Sequence, residues 1–152
     1  MTTTVIVVDD EPLVSTGLAM LLNAQPGLRS VGTPTNTAAA IAAVRESKPD
    51  VVLMDVRLGT DDGIDATRLM LEADPTVRVI VLTTFGSADV VHAALRAGAS
   101  AFLTKDARPA ELIATIRRVL DDDAPLTVDS VAAIAARHAP APFRGTDVLD
   151  AL

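Results

Sequence analysis

Uninterrupted apolar runs alternate along this chain with stretches in which apolar residues recur every three or four positions. The runs are Val5-Ile6-Val7-Val8, Val51-Val52-Leu53-Met54, Val79-Ile80-Val81-Leu82 and Ala101-Phe102-Leu103. A short apolar run rich in β-branched residues suits a strand buried on both faces. A further short strand is expected from Leu28 to Thr33. The intervening stretches carry helix signals. The first helix follows Asp10-Glu11-Pro12, where a carboxylate can cap and proline fits the first turn. Its stripe is Val14, Leu18, Leu21 and Leu22, and Pro26-Gly27 stops it. An alanine-rich second helix runs from Asn36 to Ser47 and is closed by Pro49. Asp61-Asp62 read as a turn and a helix cap, and Asp62-Gly63 opens the third helix. That helix has Ile64, Thr67, Met70 and Leu71 on one face and Pro75 as terminator. The fourth, Ser87 to Ala97, turns Ala88, Val91 and Leu95 inward and uses Gly98 as a left-handed cap. The fifth, Pro109 to Leu120, carries the stripe Leu112, Ile116, Val119 and Leu120.

Five strands alternating with five helices predict an α/β domain, a parallel sheet covered on both faces, over residues 1–122. Residues 123–152 break the pattern. Asp121-Asp122-Asp123-Ala124-Pro125 is an acidic interruption, a short helix is expected from Asp129 to His138, and Ala139-Pro140-Ala141-Pro142 follows. A piece of about 30 residues is too small for a second core, so it reads as a linker.

Composition narrows the functions. The chain has 152 residues, of which 49% are hydrophobic, enough for one real core. It has three Phe and neither Trp nor Tyr, which argues against stacking single-stranded bases. A formal charge of -7 opposes non-specific binding to nucleic acid or to an anionic membrane. The absence of cysteine excludes disulfides and thiol chemistry and fits a reducing compartment. No apolar stretch approaches the ~20 residues that span a bilayer, so a cytoplasmic protein without a membrane partner is expected.

The strand ends carry the chemistry. Each main run delivers polar residues to the edge where open α/β sheets hold their ligands. Those residues are Asp9-Asp10, Asp55, Thr83-Thr84 and Thr104-Lys105. Crowded carboxylates repel unless a cation or proton lies among them. A hard divalent ion such as Mg²⁺ relieves this with oxygen ligands. With Lys105 as an ammonium and Thr83 as a rotatable hydroxyl, the set suits phosphoryl transfer to a carboxylate. His92 reads as a surface polar residue and His138 lies in the tail, with no metal-ligand spacing around either.

Ordered motifs make the set specific. Asp9-Asp10-Glu11-Pro12, Asp55-Val56-Arg57-Leu58, Leu82-Thr83-Thr84-Phe85, Ala94-Leu95-Arg96-Ala97-Gly98-Ala99 and Phe102-Leu103-Thr104-Lys105-Asp106 occur in that order. Together they resemble the receiver domain of two-component response regulators, and most closely that of LuxR-type (NarL/FixJ) transcription factors. The likeness runs from residue 4 to about residue 121. It implies a flavodoxin-like, doubly wound five-stranded sheet of order 2-1-3-4-5. It implies Asp55 as acceptor of a phosphoryl group from a histidine kinase. Asp10, Asp55 and the Arg57 carbonyl would bind Mg²⁺ directly, with Asp9 acting mainly through water. Lys105 would pair with Asp55 or the phosphoryl group, Thr83 would swing towards it, and Phe102 would follow as the aromatic switch. The implied output is a phosphorylation-dependent homodimer that reaches DNA through a C-terminal domain outside this chain, the 152 residues being the N-terminal part of a longer regulator. Leu13 and Ile113 are the expected contacts. Where the family usually has Pro-Gly, this chain has Gly59-Thr60. Glycine there predicts a looser loop beside the Arg57 carbonyl, and a Pro-Gly replacement should tighten metal binding.

Two other functions compete with a phosphorylation-controlled switch that is not itself an enzyme. One is a pseudo-receiver, a protein-interaction module unable to use phosphate; the intact set Asp9, Asp10, Asp55, Thr83 and Lys105 opposes it. The other is an aspartyl hydrolase of the haloacid dehalogenase type, which needs Asp-x-Asp where this chain has Asp55-Val56-Arg57.

Overall fold

The computed structural model describes residues 2–84 and 87–121. The sheet strands are β1 (Thr3–Val8), β2 (Leu28–Gly32), β3 (Val51–Asp55), β4 (Arg78–Thr83) and β5 (Ala101–Thr104). The helices are α1 (Pro12–Asn23), α2 (Thr37–Ser47), α3 (Gly63–Ala73), α4 (Ala88–Ala97) and α5 (Pro109–Asp121). All pairings in the five-stranded sheet are parallel, and its order is β2-β1-β3-β4-β5. This is the expected flavodoxin-like order. The calls on residues 123–152 and on Phe85 lie outside the described residues.

The central strands β1, β3 and β4 carry unbroken four-residue apolar runs because each face of the sheet has its own core. Ile6, Val8, Val52, Met54, Val79 and Val81 pack with Ala40, Val44, Ala66, Met70 and Ala94 from α2, α3 and α4. The alternate residues Val5, Val7, Val51, Leu53, Ile80 and Leu82 pack with Leu22, Leu112, Ile116 and Val119 from α1 and α5. Period-two alternation therefore sorts one strand sequence into two cores. Among the described residues no helix is long and apolar enough to cross a membrane.

Local chemistry explains the helix starts, with corrections. Asn36 caps α2 by accepting from the Ala39 N–H at 2.8 Å, and Asp62 caps α3 by accepting from Ile64 at 2.8 Å. Ser87 caps α4, and Gly98 ends it at φ 101°. No side chain caps α1, although a carboxylate was expected to; Asp9 instead accepts the Glu11 N–H at 2.9 Å. Ala88, expected inward, is exposed, because it opens the first turn of α4; Ala94 and Ala97 are buried in that helix. Ile113, expected exposed, is half-buried and packs against the α1–α5 core, while Leu13 is 88% exposed.

Candidate functional site

Register sets the site. Val8 pairs with Met54 and Asp55 pairs with Leu82, so Asp9 and Asp55 leave adjacent strands at one edge. Thr83 pairs with Thr104, which brings Lys105 to the same edge from β5. Carboxylate oxygens of Asp9, Asp10 and Asp55 all lie within 4.8 Å of one another. Asp9 and Asp55 are buried and Asp10 is exposed. The Lys105 ammonium donates to Asp55 Oδ2 at 2.9 Å and to Asp9 Oδ2 at 3.3 Å. The Arg57 N–H donates to Asp55 Oδ1 at 3.2 Å.

Electrostatics at this edge are strained by charge count. Burial pushes the Asp55 carboxyl above its ordinary value; the Lys105 hydrogen bond, the Arg57 N–H and the Lys105 charge oppose this without cancelling it, and Asp9 adds to the rise. Burial alone would lower the Lys105 ammonium, but the hydrogen bond and charge of Asp55, joined by Asp9, hold it above its ordinary value. Three carboxylates and one ammonium leave a deficit of positive charge, and oxygen-only donors suit a hard cation such as Mg²⁺.

Thr83 is buried at the end of β4, and its carbonyl accepts the Lys105 N–H at 2.7 Å. Phe102 is buried and packs with Val91, Val90 and Leu95 of α4 in a cluster apart from both main cores. His92 is exposed, as expected.

The loop after Asp55 is not loose. Arg57-Leu58 pair antiparallel with Asp61-Asp62, leaving Gly59-Thr60 as a two-residue turn. Gly59 lies at φ 61°, the positive angle that a type II′ hairpin turn needs at its first central position. Proline fixes φ near about −65°, so the Pro-Gly replacement expected to tighten this loop would break it. Gly63 closes the segment by donating to the Val56 carbonyl at 2.6 Å, and a Cβ there would stand 1.9 Å from the Asp55 carbonyl oxygen. Asp61 and Asp62 border the turn and supply the helix cap as expected, and Asp61 has a further partner. Asp62 caps α3, whereas Asp61 Oδ2 accepts the Thr37 N–H of α2 at 3.1 Å, across 24 residues. No local signal announces that contact; the surplus acid beside a sufficient cap is its only trace.

Known proteins decide the family. The response regulator receiver domain matches residues 5–117. The chain belongs to that family. The receiver is 40% identical over 115 residues to the response regulator GacA of Pseudomonas syringae pv. syringae, covering 76% of this chain and 54% of GacA. It is 38% identical over 115 residues to the DNA-binding transcriptional activator DevR/DosR of Mycobacterium tuberculosis, covering 76% of this chain and 53% of that protein. A LuxR-family two-component response regulator from Aurantimonas sp. superposes with a TM-score of 0.80 at 32% identity, over 90% of this chain and 97% of that one. The chain thus spans about half the length of the curated relatives it matches.

Proposed function

We propose that this receiver accepts a phosphoryl group on Asp55 from a histidine kinase, with Mg²⁺ at Asp9, Asp10, Asp55 and the Arg57 carbonyl. The observation that carries this is the buried Asp55 carboxylate, held by Lys105 at 2.9 Å within a carboxylate cluster short of positive charge. An Asp55 oxygen attacks phosphorus, the bond from phosphorus to the kinase histidine nitrogen breaks, and an acyl phosphate results. Mg²⁺ supplies the positive charge that lets carboxylates and phosphoryl oxygens share this edge. The domain acts as a switch, not as an enzyme with an external substrate. The new charge, about −1.5 to −2 by analogy with other phosphorylated residues, draws in Lys105 and the Thr83 hydroxyl. Phe102 then relays the change to α4 and β5.

The output is homodimerisation, and through it DNA binding by a C-terminal domain like that of the regulators this chain resembles, in the cytoplasm. The α1–α5 face supports the dimer. Leu13 stands out from α1 beside a groove of about 230 Å³ lined by Val14, Leu18, Leu103, Ala107, Leu112 and the stem of Lys105. A knob beside a hole is the self-complementary surface a two-fold dimer needs. A pull on Lys105 alters the wall of that hole. With Mg²⁺ and acetyl phosphate, label should map to Asp55. Sedimentation with beryllium fluoride should show a dimer that Leu13→Asp abolishes. Label on another residue, or none, would overturn the acceptor; an unaltered dimer in Leu13→Asp would overturn the face.

A further inference from the structure

The turn that carries the Arg57 carbonyl is tied to the opposite loop of the site, and the tie is specific to single atoms. Asp61 sits in the hairpin strand facing Leu58, and its Oδ2 accepts the N–H of Thr37, the first residue of α2. Thr37 lies three residues after Pro34, whose carbonyl accepts the Asp9 N–H at 3.3 Å. The β2–α2 connection therefore grips both loops of the candidate metal site: the β1 exit that carries Asp9 and Asp10, and the hairpin that follows Asp55. In the turn beside Asp61, Gly59 lies next to Asp10: a Cβ there would be in ordinary contact with Asp10 Oδ2, at 3.7 Å. Asn36 already satisfies the Ala39 N–H, so α2 has its cap without Asp61. An acid facing the N–H groups at a helix start is favourable in its own right. Yet this one arrives from another loop, and what it fixes is that loop.

We infer that Asp61 is a positioning residue for the metal site: its bond to the Thr37 N–H holds the Arg57–Asp62 hairpin at its distance from Asp10, so that carboxylate and carbonyl oxygens stand ready together. The residue touches neither the cation nor the phosphoryl group. It acts as the outer partners of metal ligands do, by sparing the site the ordering of a free loop when the ion arrives. This rests on the reading of Asp9, Asp10, Asp55 and Arg57 as Mg²⁺ ligands.

The test uses the whole chain and MgCl₂ titrated by calorimetry, with thermal unfolding in the absence of metal as a separate readout. Asp61→Ala should weaken Mg²⁺ binding on the order of tenfold. Asp61→Asn, which keeps an acceptor oxygen and loses the charge, should bind within about twofold of wild type, since the bond and not the charge does the positioning. Thr37→Pro removes the donor instead. Proline suits the first position of a helix, and Asn36 before it is already extended at φ −150°, ψ 170°. That variant should therefore unfold no earlier than wild type and still bind Mg²⁺ as weakly as Asp61→Ala. Wild-type affinity in both Asp61→Ala and Thr37→Pro would overturn the inference while leaving the metal site standing. Asp61→Asn as weak as Asp61→Ala would overturn it in favour of a charge effect. A wild-type chain that binds no Mg²⁺ would remove the site itself, and the inference with it.

Discussion

Asp50 and Asp55 stand at opposite ends of the same strand, and the chain treats them in opposite ways. Asp50, just before β3, accepts from the Thr4 N–H at 2.9 Å and from the Thr4 hydroxyl at 3.3 Å. Its own N–H donates to the Thr4 carbonyl at 3.0 Å, and its carbonyl accepts from Arg78 at 3.1 Å. The residue is exposed, and its Oδ2 and backbone groups are bonded to both neighbouring strands. Asp55 is buried, shares its lysine with Asp9, and lies within reach of two further carboxylates. One end carries an exposed acid bonded across strands. The other carries a buried acid crowded by like charge, which on the proposal above a cation and a phosphoryl group would complete. The difference lies in burial and in crowding by like charge, not in residue type.

The largest test of that contrast exchanges the charge for an amide at each end. Asp55→Asn should lose all label from acetyl phosphate and Mg²⁺, whereas Asp50→Asn should label as wild type does. The same pair should diverge in stability. Burial raises the folded-state Asp55 carboxyl above its ordinary value, so its ionised form burdens the fold. The stability it contributes is present below the ordinary carboxylate range and lost as pH rises through the raised value. At neutral pH without added metal, Asp55→Asn should therefore melt higher than wild type, and the gain should vanish in acid. A lower melting temperature at pH 7 would contradict the account of a carboxylate burdened by burial.

Gly63 probes how tightly the Asp55 end is built. A Cβ at 1.9 Å from the Asp55 carbonyl oxygen cannot be accommodated without moving the backbone of the acceptor itself. Gly63→Ala should cost about 3 kcal/mol in denaturant unfolding and should impair phosphorylation more than the stability loss explains. A cost under about 1 kcal/mol would mean that the loop yields easily. At the Asp50 end the stakes are smaller. Asp50→Ala removes the acceptor for the Thr4 N–H and should cost about 1 kcal/mol, with labelling at Asp55 unchanged.

The smallest effect belongs to Asp74, at the end of α3 and on the same side of the sheet as Asp50. Bonds from the Thr76 hydroxyl at 2.7 Å and the Thr76 N–H at 3.0 Å hold its carboxyl below the ordinary value. Such a group adds stability above the ordinary carboxylate range and loses it as pH falls through the lowered value. Solvent exposure limits the amount. Asp74→Asn should cost a few tenths of a kcal/mol at pH 7 and nothing at a pH below both values. An equal loss at both pH values would show that the charge plays no part.

Much of this was legible without coordinates, for physical reasons. Apolar runs with no polar interruption can be buried only between two layers, so β1, β3, β4 and β5 followed directly from their residues. A strand must then end where polar residues begin, which put Asp9, Asp10, Asp55, Thr83 and Lys105 on one edge. Caps act within a few residues, so local rules found Asp62 and Gly98 as caps, and Asn36 and Ser87 as helix starts, though not as the caps they are. What escaped depends on contacts between distant segments. Periodicity assigned Ala88 to an inward face, but a first-turn residue is held outside by where the helix docks. Glycine at position 59 signals freedom when only the local sequence is considered; in the folded chain the hairpin pairing converts that freedom into one required positive φ. The bond from Thr37 to Asp61 exists only because β2, β1 and β3 are ordered as they are, which sets the start of α2 against the loop after Asp55. Sequence by itself determined the layers, the order of elements and the chemical set, because burial and hydrogen-bond capping are local demands. Tertiary structure alone decided which carboxylate stays exposed and which is buried among other carboxylates, because that depends on the distances between strand ends.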